Sequence, residues 1–484
     1  MMDGRRRWTA FYVLCLGTLM VVLDTTIVNV ALPSIRESLG FSEASLAWVV
    51  NAYMLTFGGF LLFGGRLGDL YGHRRIFLAG IAVFTVASVV CGLSVNQQML
   101  VGARAVQGVG GALASAVGLS LVMTLFTEPM ERAKAMGITG FVASGGGALG
   151  VLLGGVLTDA LNWHWIFLVN VPIGIGVCAL MMRLFPAGGA VVQVRRLDVA
   201  GAVTVTAALM LAVDAVVNGD HNGWTSVRTL GVLGAAVTLL VAFVLIETRA
   251  AAPLMRFDLF RSRNLSTANV IGILWAAAMF AWFFLSALYL QQVLDYTPMQ
   301  VGLAFLPGNI VMAICSVSVS ARLVLRFGYR IPLSGGLAVA TGGLLLLARA
   351  PMGGHFAVDV LPSMLLLGLG AGIAFNPVLL AAMGEVDPAD SGLASGLVNT
   401  SFMMGGALGL AILASLAAAR SGTHADPTAA ASLLDGYHLA FLAGAVLAAV
   451  AATLGWLGIR DVEPVDETID WDGTAEPELA GSCG

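Results

Sequence analysis

The feature that most constrains this chain is the recurrence of apolar runs long enough to cross a bilayer. They fall at about 10–32, 46–64, 76–94, 99–126, 136–157, 164–182, 199–217, 229–246, 265–290, 299–321, 332–348, 358–381, 395–418 and 437–458. Each lies near the roughly 20 residues that a helix needs to span about 30 Å of hydrocarbon. In lipid every backbone N–H and C=O must be satisfied within the protein, so runs of this length fold as helices. Only 11% of the 484 residues are charged, against about 25% in a soluble domain. The pattern predicts an all-α polytopic membrane protein with fourteen transmembrane helices, its 60 glycines suited to close helix contact.

Basic residues orient the array. Nineteen Arg and Lys fall in connections on the side of the amino terminus, beginning with Arg5, Arg6 and Arg7, and four (Arg36, Arg228, Arg349, Arg420) on the other. The positive-inside rule then places both termini in the cytoplasm. The 382–394 connection carries acids and no base, but acids weigh little in this rule. The first apolar run follows three arginines like a signal peptide, yet it is too long and lacks a small-x-small cleavage site, so it reads as an uncleaved first helix. From Arg460 onward the chain holds eight acids and one Arg, the composition of a disordered cytoplasmic tail. The five cysteines are scattered and form no Cys-x-x-Cys pair, so no disulfide framework or metal site is expected.

Three patterns repeat at nearly one offset. Arg66-Leu67-x-x-x-x-Gly72-x-Arg74 returns 256 residues later at Arg322–Arg330. Gly146-Gly147-Ala148-Leu149-Gly150 returns 259 later at Gly405–Gly409, and Gly108-x-Gly110-x-Ala112 is echoed 260 later at Gly368–Gly372. The repeats divide the chain into an N-terminal six-helix bundle (1–184), a linker with two inserted transmembrane helices (185–263), a C-terminal six-helix bundle (264–459) and the acidic tail (460–484). Six-helix repeats with a site between them are a recurring transporter plan.

One residue stands out against the apolar background. Asp24 lies roughly 20 Å into the first helix, where a carboxylate costs at least ~2.5 kcal/mol on insertion scales. Acids in such places are functional by default, and the expectation is that Asp24 binds and releases a proton. The plain alternative is a structural acid held permanently protonated in the bundle. Arg104, in the fourth run, either keeps Asp24 ionised or merely snorkels to an interface. On charge patterning alone Asp69, Arg74 and Arg75 read as a solvated cytoplasmic turn, with Gly72 supplying the bend. Gly145-x-Gly147-x-x-Gly150 formally matches a dinucleotide fingerprint, but no strand precedes it. The spacing Gly146-x-x-x-Gly150-x-x-x-Gly154 reads instead as a helix-contact face. Trp275, Phe280, Trp282, Phe283, Phe284, Tyr289 and Phe305 suit either the wall of a cavity for a bulky drug or ordinary packing.

These motifs resemble the major facilitator superfamily, and within it the fourteen-helix drug:proton antiporters. The resemblance rests on Leu23-Asp24-x-Thr26-Ile27-Val28-Asn29-Val30-Ala31-Leu32-Pro33, Gly65-x-Leu67-x-Asp69-x-x-Gly72-x-Arg74-Arg75, Arg104-x-x-Gln107-Gly108-x-Gly110-x-Ala112 and Trp163-x-Trp165-Ile166-Phe167-x-x-Asn170-x-Pro172-Ile173-Gly174. It implies proton coupling or substrate binding at Asp24, Arg104 and Gln107. It also implies a cytoplasmic gate at Gly65, Asp69, Gly72, Arg74 and Arg75, and a packing motif at Gly146, Gly150, Gly154 and Gly155. The family's helix-5 proline is missing from Gly150-Val151-Leu152-Leu153-Gly154-Gly155. The function implied is export of hydrophobic or cationic small molecules, antibiotics or metabolites in exchange for protons, from the cell membrane. No cofactor, metal or nucleic-acid partner and no enzyme activity is expected, and the chain is expected to act as a monomer. Uptake symport by the same fold is the alternative. A membrane enzyme or receptor is the weakest, for no P-loop, His-Glu-x-x-His or Gly-x-Ser-x-Gly occurs.

Overall fold

The apolar runs become helices in a computed structural model that describes residues 4–126, 128–185, 198–250, 257–384, 386, 391–422 and 430–460. The acidic residues 461–484 and most of the 185–197 linker lie outside the described residues. Fourteen long helices follow one another with no strand among the described residues: α1 Gly4–Leu39, α2 Trp48–Tyr71, α3 His73–Gly92, α4 Gln97–Leu125, α5 Pro129–Ala160, α6 Asn170–Leu184, α7 Val199–Asn222, α8 Val227–Arg249, α9 Arg263–Gln292, α10 Pro298–Ile314, α11 Arg330–Leu347, α12 Leu361–Met383, α13 Ser391–Ser421 and α14 Ala430–Gly458. A π-helical turn, Cys315–Val319, continues α10 into Ser320–Phe327. Among the described residues thirteen helical segments are long and apolar enough to cross a membrane, and Gly145–Ala160 within α5 is a shorter apolar helix. The protein is a multi-pass membrane protein.

Helix ends follow local chemistry. Asn96, Asp198, Ser226, Ser262 and Thr297 each accept a backbone N–H in the first turn of α4, α7, α8, α9 and α10, satisfying donors that have no partner within the helix. Gly72, at φ 92°, breaks α2 from α3, and Gly328, at φ 72°, breaks the α10 extension from α11. A side chain at that φ is strained, so glycine fits both turns.

The repeat seen in the sequence is also a repeat of contacts. Within α1–α6 the main pairs are α1 with α5 and α6, α3 with α4 and α6, and α2 with α4. Within α9–α14 they are α9 with α13 and α14, α11 with α12 and α14, and α10 with α12, the same set shifted by eight helices, with α13 packed on α14 in addition. The glycine echoes sit at matching places. A Cβ on Gly110 would meet Phe84 N at 2.5 Å and Gly80 O at 2.8 Å, and one on Gly370 would meet Ala340 N at 2.6 Å. Gly146 of α5 packs on Leu19 of α1, while Gly405 of α13 packs on Ile273 of α9. Small residues let these backbones approach, which is what joins helices where lipid is as apolar as the side chains.

The two sets meet along two seams. At one, α5 lies on α10, with Gly155 against Pro298 and Gly302 against Val151. At the other, α2 lies on α13, with Gly58 against Met403 and Met404. The inserted α7 covers this second seam and touches both sets. Gly59 of α2 faces Thr206, and Ser415 Oγ of α13 donates to Val216 O at 3.3 Å. Outside it, α8 packs chiefly on α7 and leaves most of its surface exposed.

Of the aromatic residues singled out in the sequence, Trp275, Trp282, Phe284, Tyr289 and Phe305 are buried in the packed core around α9, with Phe283 stacked on Phe305 at 5.5 Å. Phe280 meets Phe402 across the α9–α13 contact.

Candidate functional site

Asp24 is the one charged residue in the middle of α1, and its polar neighbours Thr25, Thr26 and Asn29 bond back to the helix's own carbonyls, so the acid finds its partners on other helices. Asp24 is wholly buried and accepts three hydrogen bonds. Arg104 Nη1 on α4 lies 2.5 Å from Oδ2. Gln107 Nε2, one turn along α4, donates to Oδ1 at 2.7 Å. Asn170 Nδ2, at the start of α6, donates to the same oxygen at 3.0 Å. The three-residue spacing of Arg104 and Gln107 puts both on one face of α4, and Arg104 Nη1 also donates to Gln107 Oε1 at 2.7 Å.

Further partners fix this cluster. Arg104 Nε donates to the Val49 carbonyl of α2 at 2.9 Å. The guanidinium also lies over the Tyr53 ring at 4.4 Å from its centroid and near Phe167 at 5.7 Å. Gln107 Nε2 donates to Ser88 Oγ of α3 at 2.9 Å, and Ser88 Oγ donates to Phe84 O at 2.8 Å. Cys91 Sγ approaches Gln107 Oε1 at 3.7 Å. Arg104, Gln107, Asn170 and Ser88 are all fully buried. A buried ion pair of this kind persists when further hydrogen bonds hold its members, and here Nε and Nη1 of Arg104 and Oδ1 of Asp24 each have such a partner.

The glycines of α5 set how near α1 sits. A Cβ on Gly150 would meet Leu23 O at 2.8 Å, and one on Gly154 would meet Ile27 O at 2.5 Å. Gly146 contacts Leu19 and Val22, whereas Gly155 turns to Pro298 on α10. The helix-5 motif therefore presses the Asp24-bearing segment toward α4 and α6. Without an internal proline, α5 runs as one helix from Pro129 to Ala160.

The expected gate residues lie apart from this cluster. Gly72 forms the α2–α3 turn, Gly65 is partly exposed on α2, Arg75 is exposed, and Arg74 Nη2 donates to Met182 O at 3.0 Å. The side chain of Asp69 lies outside the described residues. Arg104 does not snorkel: it is turned inward to Asp24, because the carboxylate offers a buried partner that an interface would not. Asp159 is exposed, and Asp214 accepts from Asn218 Nδ2 at 2.8 Å. Asn170 was legible only as part of the Trp163–Gly174 motif, and Ser88 and Tyr53 carried no signal in the sequence.

Comparison with known proteins agrees with this architecture. The Major Facilitator Superfamily pattern matches residues 14–410. The puromycin resistance protein pur8 of Streptomyces alboniger is 37% identical over 474 residues, covering 96% of this chain and 93% of that protein. The cephamycin export protein CmcT of Amycolatopsis lactamdurans is 40% identical over 454 residues, covering 92% and 91%. Among solved structures, a bacterial homologue of the human lysosomal transporter Spinster, inward-facing and unoccupied, superposes with a TM-score of 0.67. It shares 15% identity, and the match covers 94% of this chain and 98% of that one. By sequence and by fold, this chain belongs to the Major Facilitator Superfamily.

Proposed function

We propose that this protein exports small hydrophobic or cationic molecules of the antibiotic class in exchange for protons. The observation that carries the reading is Asp24: a buried carboxylate in a membrane-length helix, held by a guanidinium and two amides from two other helices. A proton on Asp24 cancels its attraction to Arg104, loosening the joint among α1, α4 and α6. Loss of the proton restores it. Export follows if the two protonation states favour opposite openings of the α5–α10 and α2–α13 seams, by rocking of lobes 1–184 and 264–459. The proton-motive force supplies ~2.3 kcal/mol per charge per 100 mV to drive the cycle. The antibiotic resistance and export activities named for the two relatives support this direction and substrate class.

The membrane is the bacterial plasma membrane with both termini inside, on the charge asymmetry of the connections. Gly65, Asp69, Gly72, Arg74 and Arg75 serve as the cytoplasmic gate, and the transporter works as a monomer without a cofactor. The helix-5 motif without its proline favours a second reading, uptake by symport. Expression in a pump-deficient host, profiled against a panel of antibiotics, separates the two. Export predicts raised resistance and lowered accumulation for at least one compound, and uptake predicts the reverse.

A further inference from the structure

Asp24 has three donors when ionised, but a protonated carboxyl also needs an acceptor for its O–H. Arg104 cannot supply one, because a guanidinium only donates. Gln107 is fixed at both ends: Oε1 accepts from Arg104, and Nε2 donates to Asp24 and Ser88. Turning it over would set its N–H groups against Arg104 and break the bond to Ser88. Asn170 differs. Its Nδ2 makes one hydrogen bond among the described residues, to Asp24 at 3.0 Å. Its Oδ1 is buried and accepts no hydrogen bond among the described residues.

We propose that Asn170 is a reversible positioning residue for Asp24, donating to the carboxylate and accepting from the carboxylic acid. This rests on the proton-coupling reading above. The proton arrives on Asp24 Oδ1, where the Asn170 N–H now points at an O–H. The Asn170 amide turns end for end about its terminal torsion, a near-isosteric exchange of O and N. One N–H···O bond is lost and one O–H···O bond is gained, and no covalent bond of Asn170 changes. Gln107 keeps its orientation, and Arg104 keeps Val49 O and Gln107 Oε1. The protonated acid is thereby held in place while its ion pair with Arg104 dissolves.

The ionisable groups facing Asp24 are few. Arg104 comes from α4, Tyr53 from α2 and Cys91 from α3. The α5 face against α1 is glycine; of its described charged side chains, Glu131 and Lys134 lie at the far end with Arg7 and Trp8, and Asp159 is exposed at the opposite end. At the other end α9 meets α1 through Gln291, which donates to Val30 O. Of the ionisable groups facing Asp24 only Tyr53 has an oxygen able to accept, and its Oη is buried but makes no hydrogen bond to Asp24 or to any other described residue, while Cys91 Sγ is turned to Gln107 Oε1.

The test is pH-difference infrared spectroscopy of the full protein in lipid, following the carboxylic-acid band that Asp24→Asn removes. In Asn170→Leu the carboxylate loses one of its three donors but keeps Arg104 and Gln107, whereas the acid's buried O–H is left with no partner at all, the costlier loss. Its titration midpoint is therefore expected to fall by about one pH unit, a tenfold weaker hold on the proton. Asn170→Ser, whose hydroxyl donates or accepts, stays near wild type. A midpoint that rises in Asn170→Leu marks a fixed donor and overturns the proposal, as does one that does not move. Should the Leu variant not fold, the wild-type spectrum decides. An asparagine amide signal that changes with the Asp24 band and vanishes in Asn170→Ser supports reversal, and its absence overturns it. If no band assigned to Asp24 titrates at all, the proton-coupling reading fails with it.

Discussion

Asp24 Oδ2 and Arg104 Nη1 lie 2.5 Å apart, although 80 residues separate them in the chain and both side chains are sealed from the surface. Removing one partner strands the other. Arg104→Ala is expected to destabilise the protein by about 3–5 kcal/mol, as unpairing a buried charge does. The double variant Asp24→Asn with Arg104→Gln should lose less than Arg104→Ala alone. Thermal unfolding in detergent checks the order. An Arg104→Ala protein that melts with wild type would show that the pair contributes nothing.

The contact repeat makes a paired prediction. Gly110→Ala and Gly370→Ala each drive a methyl into the backbone of the neighbouring helix. Both should cost about 1–3 kcal/mol, the usual penalty for overpacking. Comparable drops in melting temperature are expected. A large effect at one site and none at the other would mean that the two sets are alike in sequence but not in packing.

At the α5–α10 seam, a Cβ on Gly155 would meet Pro298 O at 2.6 Å. Gly155→Val should wedge this seam open by a similar 1–3 kcal/mol. A cysteine placed at Leu152, beside Gly302, should then react faster with a water-soluble thiol reagent than in the Gly155 background. Unchanged labelling would show that the seam does not limit access there.

Much of this architecture was legible in the sequence because its signal is local. Twenty apolar residues in a row name a helix wherever it sits, and the repeated glycine patterns named which helices share neighbours. Gly72 and Gly328 mark turns by their own backbone needs. Asp24 and Arg104 were legible as misfits among apolar neighbours, but not as a pair, since nothing in the spacing of α1 and α4 encodes their meeting. Arg104 looked free to reach an interface because sequence depth says nothing of the direction in which a side chain turns. Asn170 and Ser88 are ordinary polar residues until the fold sets them against Asp24 and Gln107. The place of α7 over the α2–α13 seam had no sequence signal, for an apolar helix fits any apolar groove.

The central claim is that Asp24 carries the proton that drives transport. Wild-type protein and Asp24→Asn are reconstituted into liposomes with an acid interior, and accumulation is measured for a compound to which expression confers resistance. Wild type should accumulate it as the gradient is imposed, and Asp24→Asn should fall to the level of empty liposomes. Equal gradient-driven accumulation by Asp24→Asn would contradict the account.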